Sequence, residues 1–218
     1  MKVWSDSFSD GGVIPGEFAF GVIDPRTHVR LSNNRNPHLA WSDLPAGTQS
    51  LAIICHDPDV PSRGDDVNLE GRVVPASLPR VDFTHWVLVD LPADAKPIAA
   101  GEFSHAVTPR GKGGPAIGRA GSDAVLQHGL NDYTGWFAGD SDMGGDYFGY
   151  DGPCPPWNDE LVHRYVFTVY ALSVPRLDLP MSDARHFTRA QALAAMQGKI
   201  LAQASLYGRY TLNPAVKL

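Results

Sequence analysis

The chain has 218 residues, of which 43% are hydrophobic and 10% aromatic, with 18 Lys and Arg against 24 Asp and Glu. This composition excludes an intrinsically disordered chain, because it supplies enough apolar surface for a buried core. The formal net charge of −6 argues against a nucleic-acid-binding protein, which needs clustered basic side chains. The length predicts one domain, residues 1–218. The 22 glycines and 18 prolines indicate short elements joined by tight turns, which favours a mainly β fold.

The N-terminal segment and the hydropathy of the chain indicate its compartment. Residues 1–8 are polar and acidic and lack the apolar core of a signal peptide. No run approaches the ~18 apolar residues of a membrane span, and no basic amphipathic helix would hold the chain on a lipid surface. We therefore expect a cytoplasmic protein without stable membrane anchoring. Two cysteines, Cys55 and Cys154, are too few for a disulfide framework, and the sequence leaves open whether they pair.

Apolar runs predict the strands, which are short in the first third of the chain. Residues 50–56 are almost continuously apolar, which predicts a buried central strand. We expect this strand to end at residue 56, because Pro58 and Pro61 cannot donate to a sheet. Residues 83–91 and 163–173 are apolar on both faces and predict two further interior strands.

Two stretches of the chain lack any sustained hydrophobic periodicity, and a third stretch predicts a helix. Residues 62–82 and 111–152 read as long surface loops, and the second contains 12 of the 22 glycines. Loops of that length in a small domain are often functional. Thr188 and Gln191 form a capping box, which predicts a helix that begins there and ends at Gly208. The predicted helix carries an apolar stripe of Leu193, Met196, Ile200, Ala204 and Tyr207.

Groups capable of chemistry lie at the edges of the predicted interior strands. Asp57 and Asp59 follow His56 on a segment that proline stiffens. Carboxylates this close serve as an acid–base pair, as cation ligands, as acceptors that orient a histidine, or as simple turn caps. His85 lies near the start of the second interior strand, where a histidine is either a satisfied core group or part of a site.

A third segment combines a rigid loop with another histidine. Gly152 precedes a loop that contains Pro155, and glycine permits close approach of a ligand to main-chain amides. His163 and Tyr165 follow at the start of the third interior strand. Two imidazoles and exposed N–H groups suit an oxyanion such as phosphate. We expect the neighbouring carboxylates to hold both imidazoles protonated.

The remaining motifs predict neither a metal ion nor a cofactor. The glycine-rich residues 113–119 lack the Lys-Ser or Lys-Thr pair of a nucleotide-binding loop. The acidic residues 140–151 lack the final glutamate of a calcium loop. The histidines and carboxylates named above lack the spacing of a zinc site.

Four motifs occur in a fixed order along the chain. They are Asp57-Pro58-Asp59-Val60-Pro61, His85-Trp86, Gly152-Pro153-Cys154-Pro155-Pro156 and His163-Arg164-Tyr165. Each motif alone is common, whereas the ordered set resembles the phosphatidylethanolamine-binding protein family, which includes the Raf kinase inhibitor proteins. The resemblance extends over about residues 10–208 and is to the bacterial branch of the family.

This resemblance implies a large central antiparallel β-sheet, a smaller sheet packed on it and a helix near the C-terminus. It also implies a homodimer and a pocket for phosphate or a phosphoethanolamine-type head group. Matched motif by motif, the pocket residues are Asp57, Asp59, His85, Gly152, Pro155, His163 and Tyr165. The chain departs from compact members in the length of residues 62–82 and 111–150, and in Cys154 within the proline loop.

The residues and the resemblance together predict a non-catalytic module that binds a small anionic or phosphorylated ligand and regulates or inhibits a partner protein. Two alternatives stay open. The carboxylates and histidines could hydrolyse a small phosphate ester, which would make the chain an acid–base enzyme. An exposed loop within 111–150 could inhibit a protease. Inhibition of a kinase is a property of animal relatives that these residues do not imply.

Overall fold

Strands that are apolar on both faces form the middle of the largest sheet. The computed structural model describes residues 1–179 and 186–218. Its strands in these two ranges are β1 Lys2–Trp4, β2 Gly21–Asp24, β3 His28–Leu31, β4 Ala40–Ser42, β5 Ser50–Pro61, β6 Arg80–Pro92, β7 Ala116–Arg119, β8 Ser122–His128, β9 His163–Leu172 and β10 Ile200–Tyr210. Its helices there are a 3-10 turn at Gly16–Phe18, α1 Tyr133–Trp136 and α2 Arg189–Met196.

The six-stranded sheet has the order β10-β9-β5-β6-β8-β7, and every neighbouring pair is antiparallel. Two small sheets accompany it, one of β1 and β4 and one of β2 and β3. Val3 and Trp41 of the first small sheet pack against the main core. The mainly β fold with a large antiparallel sheet and a smaller sheet is therefore confirmed.

The central strands β5, β6 and β9 of the large sheet are mostly buried on both faces, which explains their near-continuous apolar runs. One face packs a core around Ile53, Trp86 and Phe167. The other face lies under α2, whose Ala192 and Met196 are fully buried against the sheet. Among the residues described, no helix has the length and hydropathy needed to cross a bilayer.

The predicted end of the first interior strand was wrong. β5 continues through both prolines, and Pro61 still pairs with Arg80 of β6. The register shifts between Asp57 and Val60, so Pro58 occupies a bulge where no ladder hydrogen bond is required. The sheet therefore extends beyond the expected turn.

The predicted C-terminal helix was right at its start and wrong at its end. The capping box of Thr188 and Gln191 is present and α2 begins at Arg189, but the helix ends at Met196. Gly198 follows with φ of 72°, and the chain then forms β10, which pairs with β9 along its length. Within β10, burial alternates with period two, and the helical stripe was a coincidence of spacing.

The two predicted loops are only partly loops. Residues 111–152 contain β7, β8 and α1, and β8 pairs with β6 in the main sheet. Residues 62–79 are irregular, and β6 begins at Arg80. Cys55 and Cys154 both carry free thiols, which answers the question that the sequence left open.

Candidate functional site

A cavity of about 490 Å³ opens where β5 ends and where β6 and β9 begin. Because these strands are antiparallel neighbours in the order β9-β5-β6, the three predicted segments meet at one end of the sheet. One part of the cavity wall, here called the polar end, consists of Asp57, His85, His163 and Tyr165.

A bulge in β6 brings His85 to this wall. Cys55 pairs with Trp86, whereas the next residue, His56, pairs with Thr84, so His85 has no partner in the ladder. Bulges of this kind redirect a side chain and are common beside functional sites. His85 thus lines the cavity while Trp86 packs into the core.

His163 is held between two carboxylates. Its Nδ1 donates to Asp57 Oδ2 at 2.6 Å, and its Nε2 donates to Asp159 Oδ2 at 3.1 Å. All three side chains are essentially buried. Burial by itself lowers the pKa of His163, but the hydrogen bonds and charges of Asp159 and Asp57 raise it to about 9. His163 is therefore an imidazolium at neutral pH, as expected.

Asp159 is a site residue that sequence reasoning missed. It accepts from Arg80 Nη1 at 2.5 Å and from Nη2 at 3.0 Å, in addition to its bond from His163. These bonds outweigh burial and lower the pKa of Asp159. In the sequence it stands in an ordinary turn between the proline loop and β9, and no motif marks it. The result is a buried chain of alternating charge, Asp57–His163–Asp159–Arg80.

His85 departs from the expected protonation. Its Nδ1 lies 2.7 Å from the carbonyl oxygen of Asp151, which only accepts, so Nδ1 carries the hydrogen. Burial lowers the pKa of His85, and the charges of Asp57 and Asp151 and the carbonyl bond oppose this only in part. The His85 imidazole is therefore neutral at neutral pH, and the expectation that carboxylates keep it protonated was wrong.

The free nitrogen of His85 points to the cavity. No residue within 1–179 or 186–218 makes a hydrogen bond to Nε2 of His85. This atom is not fully buried, so a ligand in the cavity can reach it. Tyr165 stands edge-on beside it, with ring centroids 5.0 Å apart. Burial, and then the charge of Asp57, raise the pKa of the Tyr165 hydroxyl well above its usual value. Pro155 of the proline loop also lines the cavity.

Two of the predicted pocket residues do not line the cavity. Asp59 turns to Arg164, accepting from its backbone N–H at 2.9 Å and from its Nε at 2.9 Å and Nη2 at 2.8 Å. Asp159, not Asp59, is the second carboxylate on His163. The amide of Gly152 donates to Asn34 Oδ1 at 2.8 Å and is not available to a ligand.

Gly152 has a packing role instead. A Cβ at this position would lie 2.1 Å from the carbonyl oxygen of Phe18. Its own carbonyl accepts from the Tyr133 hydroxyl at 2.8 Å and so fixes that ring. Glycine is required here because two chain segments cross in contact.

The family model described as phosphatidylethanolamine-binding protein matches residues 4–211. The chain belongs to this family.

Its relatives include bacterial members of the phosphatidylethanolamine-binding protein family. UPF0098 protein YbhB of Escherichia coli is 33% identical over 82% of this chain and 82% of its own length. A UPF0098 protein of Aquifex aeolicus is 30% identical over 96% of this chain and 88% of its own. A family homologue from Chlamydia trachomatis superposes with a TM-score of 0.59 at 29% identity, covering 96% of this chain and 95% of that one.

Beyond the motif residues, aromatic side chains that the sequence did not single out line the same cavity. They are Phe20, Phe83, Tyr133, Trp136 and Phe137, here called the aromatic wall. They come from three separate parts of the chain, at residues 20, 83 and 133–137, so only tertiary packing reveals the set. No group of three His, Cys, Asp or Glu side chains in the described part of this family member is placed to hold a metal ion.

Proposed function

We propose that this phosphatidylethanolamine-binding protein family member binds a small oxyanion, of phosphate or carboxylate type, at the polar end of the cavity. The observation that carries the proposal is His85, whose Nδ1 is fixed on the Asp151 carbonyl and whose Nε2 faces the cavity. A protonated Nε2 donates to an anion, and a charge-assisted hydrogen bond of this kind is about twice as strong as a neutral one.

The charge balance of the site supports binding of an anion together with uptake of a proton by His85. The chain Asp57–His163–Asp159–Arg80 contains two negative and two positive groups and is neutral as a unit. The His85 imidazole is neutral at neutral pH because burial lowers its pKa. An oxyanion beside Nε2 favours the imidazolium, so binding takes up a proton.

The same groups argue for binding rather than catalysis. Both nitrogens of His163 already donate to carboxylates, so this histidine has no atom left to exchange a proton with a ligand. Burial raises the pKa of the Cys154 thiol, at the cavity wall, to about 12. A thiol with that pKa is not a nucleophile at neutral pH.

Calorimetric titration with inorganic phosphate and with O-phosphoethanolamine tests the proposal, with NMR observation of the histidine rings. We expect saturable binding in the wild type and an upward shift of the His85 pKa in the complex. His85→Gln should weaken binding at least tenfold. His105→Gln changes an exposed histidine outside the cavity and should leave the affinity unchanged. Equal affinity in wild type and His85→Gln, or no binding at millimolar anion, would overturn the proposal.

A further inference from the structure

The cavity is much larger than a phosphate ion. A volume of about 490 Å³ corresponds to on the order of sixteen water molecules at ~30 Å³ each. Inorganic phosphate has five non-hydrogen atoms and would leave most of that space to solvent. A ligand that fills the cavity therefore carries a second group beyond its anion.

The aromatic wall begins directly beside the proposed anion position. The ring centroid of His85 lies 5.1 Å from that of Phe83 and 5.7 Å from that of Tyr133. A substituent attached to an anion at His85 Nε2 therefore contacts aromatic carbon at once. Trp136, whose exposed fraction is 55%, stands on the solvent side of this wall.

The rings of the wall form a stack. Phe20 and Tyr133 are 13° from parallel with centroids 4.6 Å apart, and Tyr133 and Phe137 are 18° from parallel at 5.7 Å. Phe83 stands edge-on to Tyr133, at 81°. Rings that stack on one another leave no gap between them, so together they give the cavity a continuous apolar surface, on which an aromatic ligand packs offset-stacked or edge-to-face.

The wall is also fixed in place before any ligand arrives. The Tyr133 hydroxyl donates to the Gly152 carbonyl, and the Phe20 amide donates to the Pro153 carbonyl at 2.9 Å. Both anchors lie on the proline loop that leads into β9. A wall that is already held by hydrogen bonds loses little conformational entropy when a ligand enters.

We propose that the occupant is an aryl oxyanion, whose flat ring packs on the aromatic wall while its phosphate or carboxylate lies at His85. This inference rests on the proposed function and names the ligand class for the same site. A quaternary ammonium group also packs on aromatic faces, but it is the less suitable occupant because Arg63 lines the same cavity and repels a cation. Among the described lining residues the one carboxylate is Asp57, which belongs to the polar end and already accepts from His163.

Calorimetry at pH 6.5 and constant ionic strength distinguishes an aryl oxyanion from the other classes of occupant. The probes are inorganic phosphate, phenyl phosphate, n-butyl phosphate and phosphocholine. We expect phenyl phosphate to bind on the order of tenfold to a hundredfold more tightly than inorganic phosphate, and more tightly than the other two esters. Equal affinity for phenyl phosphate and inorganic phosphate overturns this inference and leaves the proposed function intact. Phosphocholine or butyl phosphate binding as tightly as phenyl phosphate overturns it as well. Binding of none of the four overturns both.

Variants of the aromatic wall test whether it is the cause of the tighter binding of phenyl phosphate. Trp136→Ala and Phe137→Leu should each reduce the preference for phenyl phosphate at least threefold, while affinity for inorganic phosphate changes less than twofold. Trp4→Ala is the matched control, because Trp4 is 43% exposed and lies in β1, outside the cavity. Trp136 is more than half exposed, so its replacement leaves the core intact. A preference that survives both wall variants unchanged would contradict the inference.

Discussion

His163 Nδ1 lies 2.6 Å from Asp57 Oδ2, although the two residues are 106 positions apart in the sequence. The bond joins the start of β9 to β5, and both side chains are essentially buried. Because the second ring nitrogen also donates to a carboxylate, the imidazole is held as a cation. The positive charge at this end of the sheet is therefore part of the scaffold, and His85 is the histidine whose charge depends on the ligand.

Unfolding measurements should reveal this buried cation. The pKa of His163 is about 9 in the folded chain, against an ordinary value of 6.5. A raised pKa means that its stabilisation is complete below pH 6.5 and is lost as pH rises from 6.5 to 9. The shift corresponds to on the order of 3 kcal/mol. We expect His163→Gln to lower the free energy of unfolding in urea by about that amount at pH 6, and by progressively less towards pH 9.

A difference between wild type and His163→Gln that stays constant from pH 6 to pH 9 would contradict this assignment. His105→Gln provides the control, since an exposed histidine should leave the free energy of unfolding unchanged within about 0.5 kcal/mol.

Asp159 should control the protonation of His163. Asp159→Asn removes one of the two carboxylates that raise the pKa of this imidazole. We expect the pKa of His163, followed by NMR, to fall by roughly one unit or more. Asp142→Asn removes an exposed carboxylate outside the site and should leave that pKa in place. An unchanged His163 pKa in Asp159→Asn would mean that Asp57 alone holds the proton.

Anion binding should strengthen as pH falls. Sulfate is the useful probe, because its charge is constant between pH 5.5 and 8. Since burial lowers the pKa of His85 and an adjacent anion raises it, anion binding is coupled to proton uptake. We expect the Kd for sulfate to rise up to about tenfold per pH unit over this range. His163, with a pKa of about 9, stays charged throughout.

The control for this pH dependence is His85→Gln, in which the slope should disappear. A pH-independent Kd in the wild type, or an equal slope in the variant, would show that another group takes up the proton.

Gly152→Ala should affect stability before it affects binding. Its Cβ would lie 2.1 Å from the Phe18 carbonyl oxygen, so backbone has to move. We expect a loss of about 1–3 kcal/mol, measured as a lowered Tm. Gly118→Ala is the matched control, because a Cβ there meets nothing within 4 Å. A Gly152→Ala protein of unchanged Tm that no longer binds phosphate would instead place this residue in the ligand site.

The sequence was sufficient for the strands that carry the site. Continuous apolar runs predicted the interiors of β5, β6 and β9, and polar residues at their edges predicted where chemistry would lie. The prediction of a helix through Gly208 was wrong, because Ile200, Ala204 and Tyr207 have helical spacing by coincidence. Gly198 was the available signal in the sequence, because it takes a positive φ in the turn directly after the helix. The ladder with β9 then outweighs local periodicity.

Other features of the site depend on contacts that no local pattern records. Asp159 reaches His163 only because the turn before β9 folds back on the strand. The bulge at His85 results from the register between β5 and β6. Phe20 and Tyr133 stack although they are 113 positions apart in the sequence. Only the folded structure shows such distant pairs, because the spacing of residues along the sequence does not record them.

The position of β9 between β5 and β10 has a consequence for synthesis of the chain. β5 and β6 are synthesised before β9, which begins about 70 residues after β6 ends. Until then β5 is an edge strand with unpaired backbone groups and apolar side chains on both faces, the kind of surface that promotes aggregation and chaperone capture. The strand that shields this nascent edge is also the one that delivers His163 to Asp57. Completion of the cavity and protection of the growing polypeptide are thus the same event.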